Sequence, residues 1–394
     1  MDIPALDPTL ANTYAGETAV SLVDGKTGKL LFRGYPVEEL ARTYLFEEVA
    51  YLLMYGELPT EEELNDFKTL LHEASILETE TETFLHSHGI LTDLTAHPID
   101  VLHGALMDVA CRHTLPTNGI ARSNTVRTHG ITLMAQHAVI IAAYQRIRFG
   151  QGAIPADPSL SYAANFLWML HGKRPSAAET RAMNAALILH GDHGFNASTF
   201  AARVAASAGS DIYSCIAVAL GTLKGFRHGG ANVAVLRMLR EIREISSVVP
   251  FLEEQWTHNP AWRIPGFGHR IYKTHDPRAR VLRPLARAMC RKRDLPWWDI
   301  ADAVEKAAMT RFHDRGKRDL YCNVDFWSAP LFAALGINPL FFTAIFAMGR
   351  LPGLVGHCLE VYENPETRII RPLNHYTGPA LRHVPVKNTK PLPA

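Results

Sequence analysis

Pro265-Gly-Phe-Gly-His269-Arg-Ile-Tyr-Lys273-Thr-His-Asp276-Pro277-Arg278 is the stretch around which this 394-residue chain is organised. Glycines on either side of Phe267 let the backbone turn tightly and approach a ligand. His269 follows at once, so it is held on a turn rather than on a helix face. Asp276-Pro277 reads as a helix start, with aspartate as N-cap and proline at the first helical position. Arg278 then projects from the first turn, beside backbone N–H groups that favour anions. A polarising histidine close to a fixed guanidinium suits a substrate that carries a carbonyl and a carboxylate. Taken alone, the stretch could equally be an ordinary loop followed by an ordinary cap.

A chain of this length can bury a large core and form more than one domain. At 47% hydrophobic and 20% charged residues, its composition is that of an ordinary globular protein. A formal net charge of +1 gives no reason to expect a nucleic-acid partner, and no apolar run is expected to span a membrane. The one basic run, Arg287 to Arg293, reads as a solvated helix face or as a site for a phosphorylated cofactor. Cys111, Cys215, Cys290, Cys322 and Cys358 lie far apart without a CxxC pair, which points to a reducing compartment and no structural zinc. Neither end carries a targeting signal, so a cytoplasmic protein is expected.

Residues 18–34 read as a β-hairpin around Asp24-Gly25, and little other strand is expected. Helical periodicity then dominates. Helices are expected over Pro36–Thr43 and Phe46–Tyr55, after the capping box Thr60-Glu-Glu-Glu63, from His97-Pro98, over 128–148 and 160–170, and from the capping box Ser176-Ala-Ala-Glu179 to His190. Two Ala-rich helices follow, Ser198–Ala208 and Asp211–Lys224, and a last apolar one covers 338–359. Between about Lys224 and Trp327 glycines and charges rise and shorter helices are expected. The last thirty-five residues read as an extended arm. The expected fold class is mainly α with a short N-terminal hairpin. Two domains are expected: a large discontinuous one, 1–223 with 329–394, and a small one, 224–328.

Four further polar clusters sit among apolar helices, where unpaired polar groups are costly. His190-Gly-Asp192-His193-Gly-Phe-Asn196 could ligate a metal, form a structural turn or bind a substrate; a third metal ligand in a defined motif is missing. In Arg227-His228-Gly-Gly-Ala-Asn232 a histidine precedes paired glycines that leave room for a ligand; an ordinary loop with an incidental histidine is the alternative. Asp325 in Asn323-Val-Asp-Phe-Trp327 is hemmed by apolar neighbours. Desolvation would raise its basicity, as a general base requires, and a helix N-cap is the alternative. Arg350 lies in the last apolar helix and Arg371 in the arm; a buried arginine needs a salt bridge or a substrate carboxylate.

In order and spacing, these motifs resemble the citrate synthase family. The resemblance includes the early Phe32-Arg-Gly-Tyr-Pro-Val-Glu-Glu-Leu40 and covers nearly the whole chain. It implies a two-domain helical homodimer that condenses acetyl-CoA with oxaloacetate and hydrolyses the resulting thioester, with no metal and no tightly bound cofactor. By the same resemblance Asp325 is the base, His228 stabilises the enol and His269 polarises the oxaloacetate carbonyl. His193, Arg278 and Arg350 would hold oxaloacetate, with Phe346 lining the pocket and Arg371 reaching in from the other subunit. Lys273 would meet a CoA phosphate, and the backbone of Ile264, Pro265, Gly266, Phe267, Gly268 and His269 the adenine. Gly194 stands where many members carry glutamate, and Arg270 where smaller residues are common. The run Phe195-Asn-Ala-Ser-Thr-Phe200 is also similar to 2-methylcitrate synthases. Propionyl-CoA is therefore the alternative acyl donor, since one methylene is worth only about 1–3 kcal/mol in an apolar pocket. A non-catalytic metabolite-binding paralogue would have lost His228, His269 or Asp325, and all three are present.

Overall fold

Side-chain caps set several of the helix starts and glycines several of the helix ends. In the computed structural model, residues 7–89, 96–112, 120–317 and 319–383 are described. The chain begins with an antiparallel sheet of β1 (Ser21–Asp24), β2 (Lys29–Phe32) and the two-residue β3 (Tyr35–Pro36), with Ser21 opposite Phe32 and Leu31 opposite Pro36. The hairpin turn is longer than the expected Asp24-Gly25 pair. Asp24 accepts the N–H groups of Lys26 and Thr27 and the Thr27 hydroxyl, and Gly28 closes the turn at φ +67°.

Sixteen α-helices follow among the described residues: α1 (Val37–Thr43), α2 (Phe46–Tyr55), α3 (Glu61–Glu73), α4 (Thr79–Gly89), α5 (Pro98–Cys111), α6 (Ile120–Arg148), α7 (Tyr162–His171), α8 (Ala177–His190), α9 (Ala197–Ser207), α10 (Ile212–Leu223), α11 (Ala231–Ile242), α12 (Val248–His258), α13 (Pro277–Lys292), α14 (Trp297–Asp314), α15 (Val324–Ala334) and α16 (Phe342–Glu363). Both expected capping boxes form. Thr60 and Ser176 accept the N–H groups of Glu63 and Glu179, whose carboxylates return to the cap backbones. Gly56 ends α2 in the left-handed region at φ +101°, as a glycine after a helix should.

The core is built around α16, which packs against α2, α6, α8, α9 and α10. Every residue from Phe342 to Leu359 is buried. By length and composition Pro339–Glu363 could cross a membrane, contrary to the sequence expectation. Most of its apolar window is buried inside the protein instead, where the surrounding helices satisfy it. Backbones meet where glycine leaves room: a Cβ on Gly356 would lie 2.4 Å from the Leu53 carbonyl oxygen.

Helices α11 to α15 pack mainly on one another and reach the rest through α13 on α8 and α1 and through α11 on α16. They are not uniformly short, as expected from the glycine content: α13 has 16 residues and α14 has 18. The expected boundary at 328/329 falls inside α15. The Arg287–Arg293 run lies along α13. Arg287 covers Trp298, while Lys292 and Arg293 pair with Glu179, so the run is a solvated helix face. Past α16 the chain is mostly exposed; residues 384–394 of the expected arm lie outside the described residues.

Candidate active site

Two glycines in left-handed geometry, Gly266 at φ +75° and Gly268 at φ +79°, shape the stretch before His269. A Cβ on Gly266 would meet the Phe326 Cβ and Val235 at 2.8 Å, so only glycine lets this loop lie on α15. The loop is zipped to the segment that enters α15. Gly268 N–H donates to Tyr321 O (2.9 Å), Asn323 N–H to Gly266 O (2.8 Å) and the Asn323 side-chain amide to Gly268 O (3.0 Å). Asn323 also caps α15 by accepting the Asp325 N–H at 3.0 Å. The cap is therefore Asn323, and the carboxyl of Asp325 is left for other use.

Asp276 is the expected N-cap of α13, and it does more than cap. It accepts the Arg278 N–H (3.0 Å), grips the Arg278 guanidinium through Nε (3.0 Å) and Nη2 (2.8 Å), and accepts the Val324 N–H (3.0 Å). One carboxylate thus fixes the arginine and ties the start of α13 to the start of α15. Arg278 keeps donors to spare, because a guanidinium has five.

His269 Nδ1 accepts the N–H groups of Ile271 (3.0 Å) and Tyr272 (3.2 Å). Its proton must then sit on Nε2. Burial, with help from Arg278, pushes its pKa down to about 4. At neutral pH it is therefore a neutral hydrogen-bond donor. His193, on the turn between α8 and α9, stands edge-on to it with ring centroids 5.0 Å apart, and its Nε2 lies 3.1 Å from the Tyr272 hydroxyl. Burial and the neighbouring Arg278 hold His193 well below the usual histidine range. Tyr272 was not singled out from the sequence; it lies three residues after His269, within the quoted stretch.

Arg350 donates through Nε to His190 O (2.6 Å) and lies over the Phe346 ring, 4.8 Å from its centre. It makes no ion pair among the described residues. Burial lowers its pKa to about 10, against the pull of Asp192. A buried cation with unspent donors is an anion site. Asp325 faces the same two arginines. Burial raises its pKa to about 6, although Arg278 and Arg350 act to lower it. His228 Nε2 receives the Ser198 N–H at 3.3 Å and lies 3.0 Å from the Ser198 hydroxyl at the start of α9. That leaves Nδ1 as the nitrogen free to donate. Burial and Arg350 bring His228 to about 4. The two histidines of the HxxH turn do not converge on one point. His190 Nδ1 bonds Ala186 O at 2.6 Å, while His193 turns to Tyr272.

Beside His269 opens a cavity of about 940 Å³, lined by Ile264, Phe267 and Gly268, by the aromatic rings of Trp256, Trp262 and Phe312, and by Arg263, Arg315 and Lys317. Pro265 and Gly266 shape the turn without lining it. Lys273 is exposed, and its N–H is bonded to Gly25 O at the hairpin (2.9 Å). Arg371 is also exposed. Its neighbour Ile370 donates to the Ser207 hydroxyl at the end of α9, about 13 Å along the helix from Ser198. One chain therefore brings together His193, His228, His269, Arg278, Asp325, Phe346 and Arg350, and leaves Arg371 apart.

Comparison with known proteins agrees with this geometry. The family model for the citrate synthase C-terminal domain matches residues 9–373. The chain is 39% identical to the glyoxysomal citrate synthase of Cucurbita maxima, over 98% of this chain and 76% of that protein. It is 36% identical to the citrate synthase of Acidithiobacillus ferridurans, over 97% and 98%. The structure of citrate synthase from Thermotoga maritima superposes with a TM-score of 0.83 at 35% identity, covering 97% of this chain and 98% of that one. That from Thermoplasma acidophilum, solved as a ternary complex with carboxymethyl coenzyme A and oxaloacetate, gives 0.87 at 31% identity, covering 97% and 99%. A match of this extent, over the loops that carry the polar cluster as well as over the helices, makes the chain a member of the citrate synthase family, enzymes of the acyltransferase class.

Proposed function

We propose that this chain condenses acetyl-CoA with oxaloacetate and water to give citrate and CoA, using the residues gathered above. The observation that carries the assignment of roles is Asp325, a carboxyl raised to about 6 beside two arginines that still have donors to offer. Asp325 removes a proton from the methyl carbon of the thioester, and the C–H electron pair moves toward the thioester oxygen. His228 donates through Nδ1 to that oxygen and stabilises the enol, without which so weak a carbon acid would not ionise. The enol carbon then bonds to the keto carbon of oxaloacetate, whose oxygen takes up charge next to His269 Nε2–H. Arg278, Arg350 and His193 hold the carboxylates, and Phe346 supports Arg350 from below. Water cleaves the citryl thioester and releases CoA. None of these steps needs a metal, because the fixed donors supply the polarisation.

The cavity beside His269 is large enough for the adenine end of CoA. Ile264, Phe267 and Gly268 supply a wall, and Arg263, Arg315 and Lys317 suit its phosphates better than Lys273, which lies outside. In this reading α11 to α15 act as the small domain, closing on the rest to keep water from the enol. The chain works as a homodimer in which Arg371 completes the neighbour's site, and it resides in the cytosol. The relatives above are citrate synthases by name, which favours acetyl-CoA as donor. The test is CoA release with oxaloacetate, comparing kcat/KM for acetyl-CoA and propionyl-CoA. Preference for acetyl-CoA is expected. Preference for propionyl-CoA would make the enzyme a 2-methylcitrate synthase, and no release from either would overturn the assignment.

A further inference from the structure

His357, on the second half of α16, has no part in the steps above, yet it is fully buried and flanked by acids. Its Nε2 donates to Asp192 Oδ2 at 3.2 Å, and its Nδ1 lies 3.5 Å from Glu360 Oε2. Glu360 in turn accepts Arg203 Nη1 from α9 at 2.7 Å and the Ala19 N–H from the N-terminal segment at 2.6 Å. Asp192 is equally buried and directly precedes His193. The same Oδ2 accepts the Ser21 hydroxyl from β1 and the Gly194 N–H (2.9 Å), so donors on both sides grip the His193 turn. Packing leaves no slack on α16, since a Cβ on Gly353 would lie 2.3 Å from Gly191 O and 2.7 Å from Asp192 Oδ1. Burial opposes charge on both partners, but each favours the charged form of the other. His357 is raised, and Asp192 is brought down to about 2, with Arg350 contributing. A carboxylate without solvent persists only when its donors are well supported, and removing one leaves its charge uncompensated.

We infer that the buried Asp192–His357–Glu360 chain is a positioning device that sets His193 against His269 and Tyr272, and that His357 and Ser21 thereby determine oxaloacetate affinity. The inference rests on the proposed role of His193. Its residues never touch substrate; they act through the turn, which a shift of about 1 Å would put out of register with the keto acid. The acyl-CoA cavity is built from other elements, so its affinity should be indifferent.

The experiment is steady-state kinetics of the full-length enzyme with each substrate varied in turn. His357→Ala should raise the oxaloacetate KM roughly ten- to a hundred-fold while the acetyl-CoA KM stays within about two-fold. His357→Gln keeps an N–H donor within reach of Asp192 and should recover most of the loss. Ser21→Ala removes one of the three donors to Oδ2 from a half-buried strand position, and should shift the oxaloacetate KM in the same direction by a smaller factor. In a His193→Ala background the His357 change should add nothing further, the non-additivity of residues that act as one unit. If His357→Ala does not fold, His357→Gln and Ser21→Ala decide by themselves. An unchanged oxaloacetate KM, or equal shifts for both substrates, in the folded variants would overturn the inference. Wild-type turnover in the same assay separates that failure from failure of the functional assignment.

Discussion

Asp325 is a carboxyl whose surroundings act against its charge, and that conflict is measurable in two ways. Its pKa is raised to about 6 by burial, with Arg278 and Arg350 pulling the other way. Bound oxaloacetate would neutralise those arginines and remove their pull, so the value should rise further in the complex. At saturating oxaloacetate, kcat should therefore fall on the acid side with a single-proton slope and a midpoint at or above about 6. His228 and His269, both at about 4, should add no second proton in that range. A two-proton limb would mean that one of these histidines titrates there. The second measurement is stability. An acid raised in the folded state contributes stability while protonated and loses it as pH rises through the folded value. At neutral pH the ionised Asp325 thus opposes folding. Asp325→Asn should reduce kcat by at least about 10²–10⁴-fold, the usual worth of a positioned base, yet raise Tm at pH 7.5. A lowered Tm would mean that the carboxylate is held by partners stronger than its burial.

At the scale of elements, the sequence was most readable where a boundary is decided by neighbouring residues. Thr60 with Glu63, Ser176 with Glu179, and Asp276 with Pro277 each mark a helix start locally, and each cap is made as expected. Helices such as α4 and α14 were not foreseen. In α4, Thr-Glu-Thr-Glu-Thr carries no clear apolar stripe, and its burial is decided by partners distant in sequence, with Phe84 set against Gly104 of α5. The residues of the candidate site stand out one by one in the sequence, because glycines and histidines mark them. The supports were not. Asp192 and His357 are 165 residues apart, and Asp276 reaches Val324 across 48, so no local pattern could join them. Close helix packing is equally silent in sequence but testable. The Cβ added by Gly356→Ala would sit 2.4 Å from Leu53 O on α2, a rigid backbone atom. The helices must separate, at a cost of about 1–3 kcal/mol. Gly221→Ala on α10, where a Cβ meets nothing, is the control. A thermal melt should show a lower Tm for the first only; equal Tm values would mean that α16 can shift without loss.

For the whole molecule the open question is why an arginine in the expected position for substrate binding lies exposed on a tail. Within one chain Arg371 follows Ile370 at the C-terminal end of α9, while the site lies at the N-terminal end. A tail is a costly place to fix a cation unless something else orders it, and a second copy is what the proposed homodimer supplies. A C2 interface is reciprocal, so each subunit would lend its tail to the other. Arg371→Ala and Asp325→Ala homodimers should then fail for different reasons, the first by weak oxaloacetate binding and the second by loss of the base. Mixed dimers would hold one site that lacks both groups and one that lacks neither. Random reassortment of equal amounts makes about half the dimers mixed, so about a quarter of all sites should regain wild-type kcat and oxaloacetate KM. The measurement is turnover at low oxaloacetate after joint refolding of the two variants, against each refolded alone. Activity above the average of the two parents would place Arg371 in the neighbour's site. Activity equal to that average, with Arg371→Ala still impaired, would make the arginine act in its own chain, through a swing of the tail around α9. An unimpaired Arg371→Ala would remove it from the site altogether.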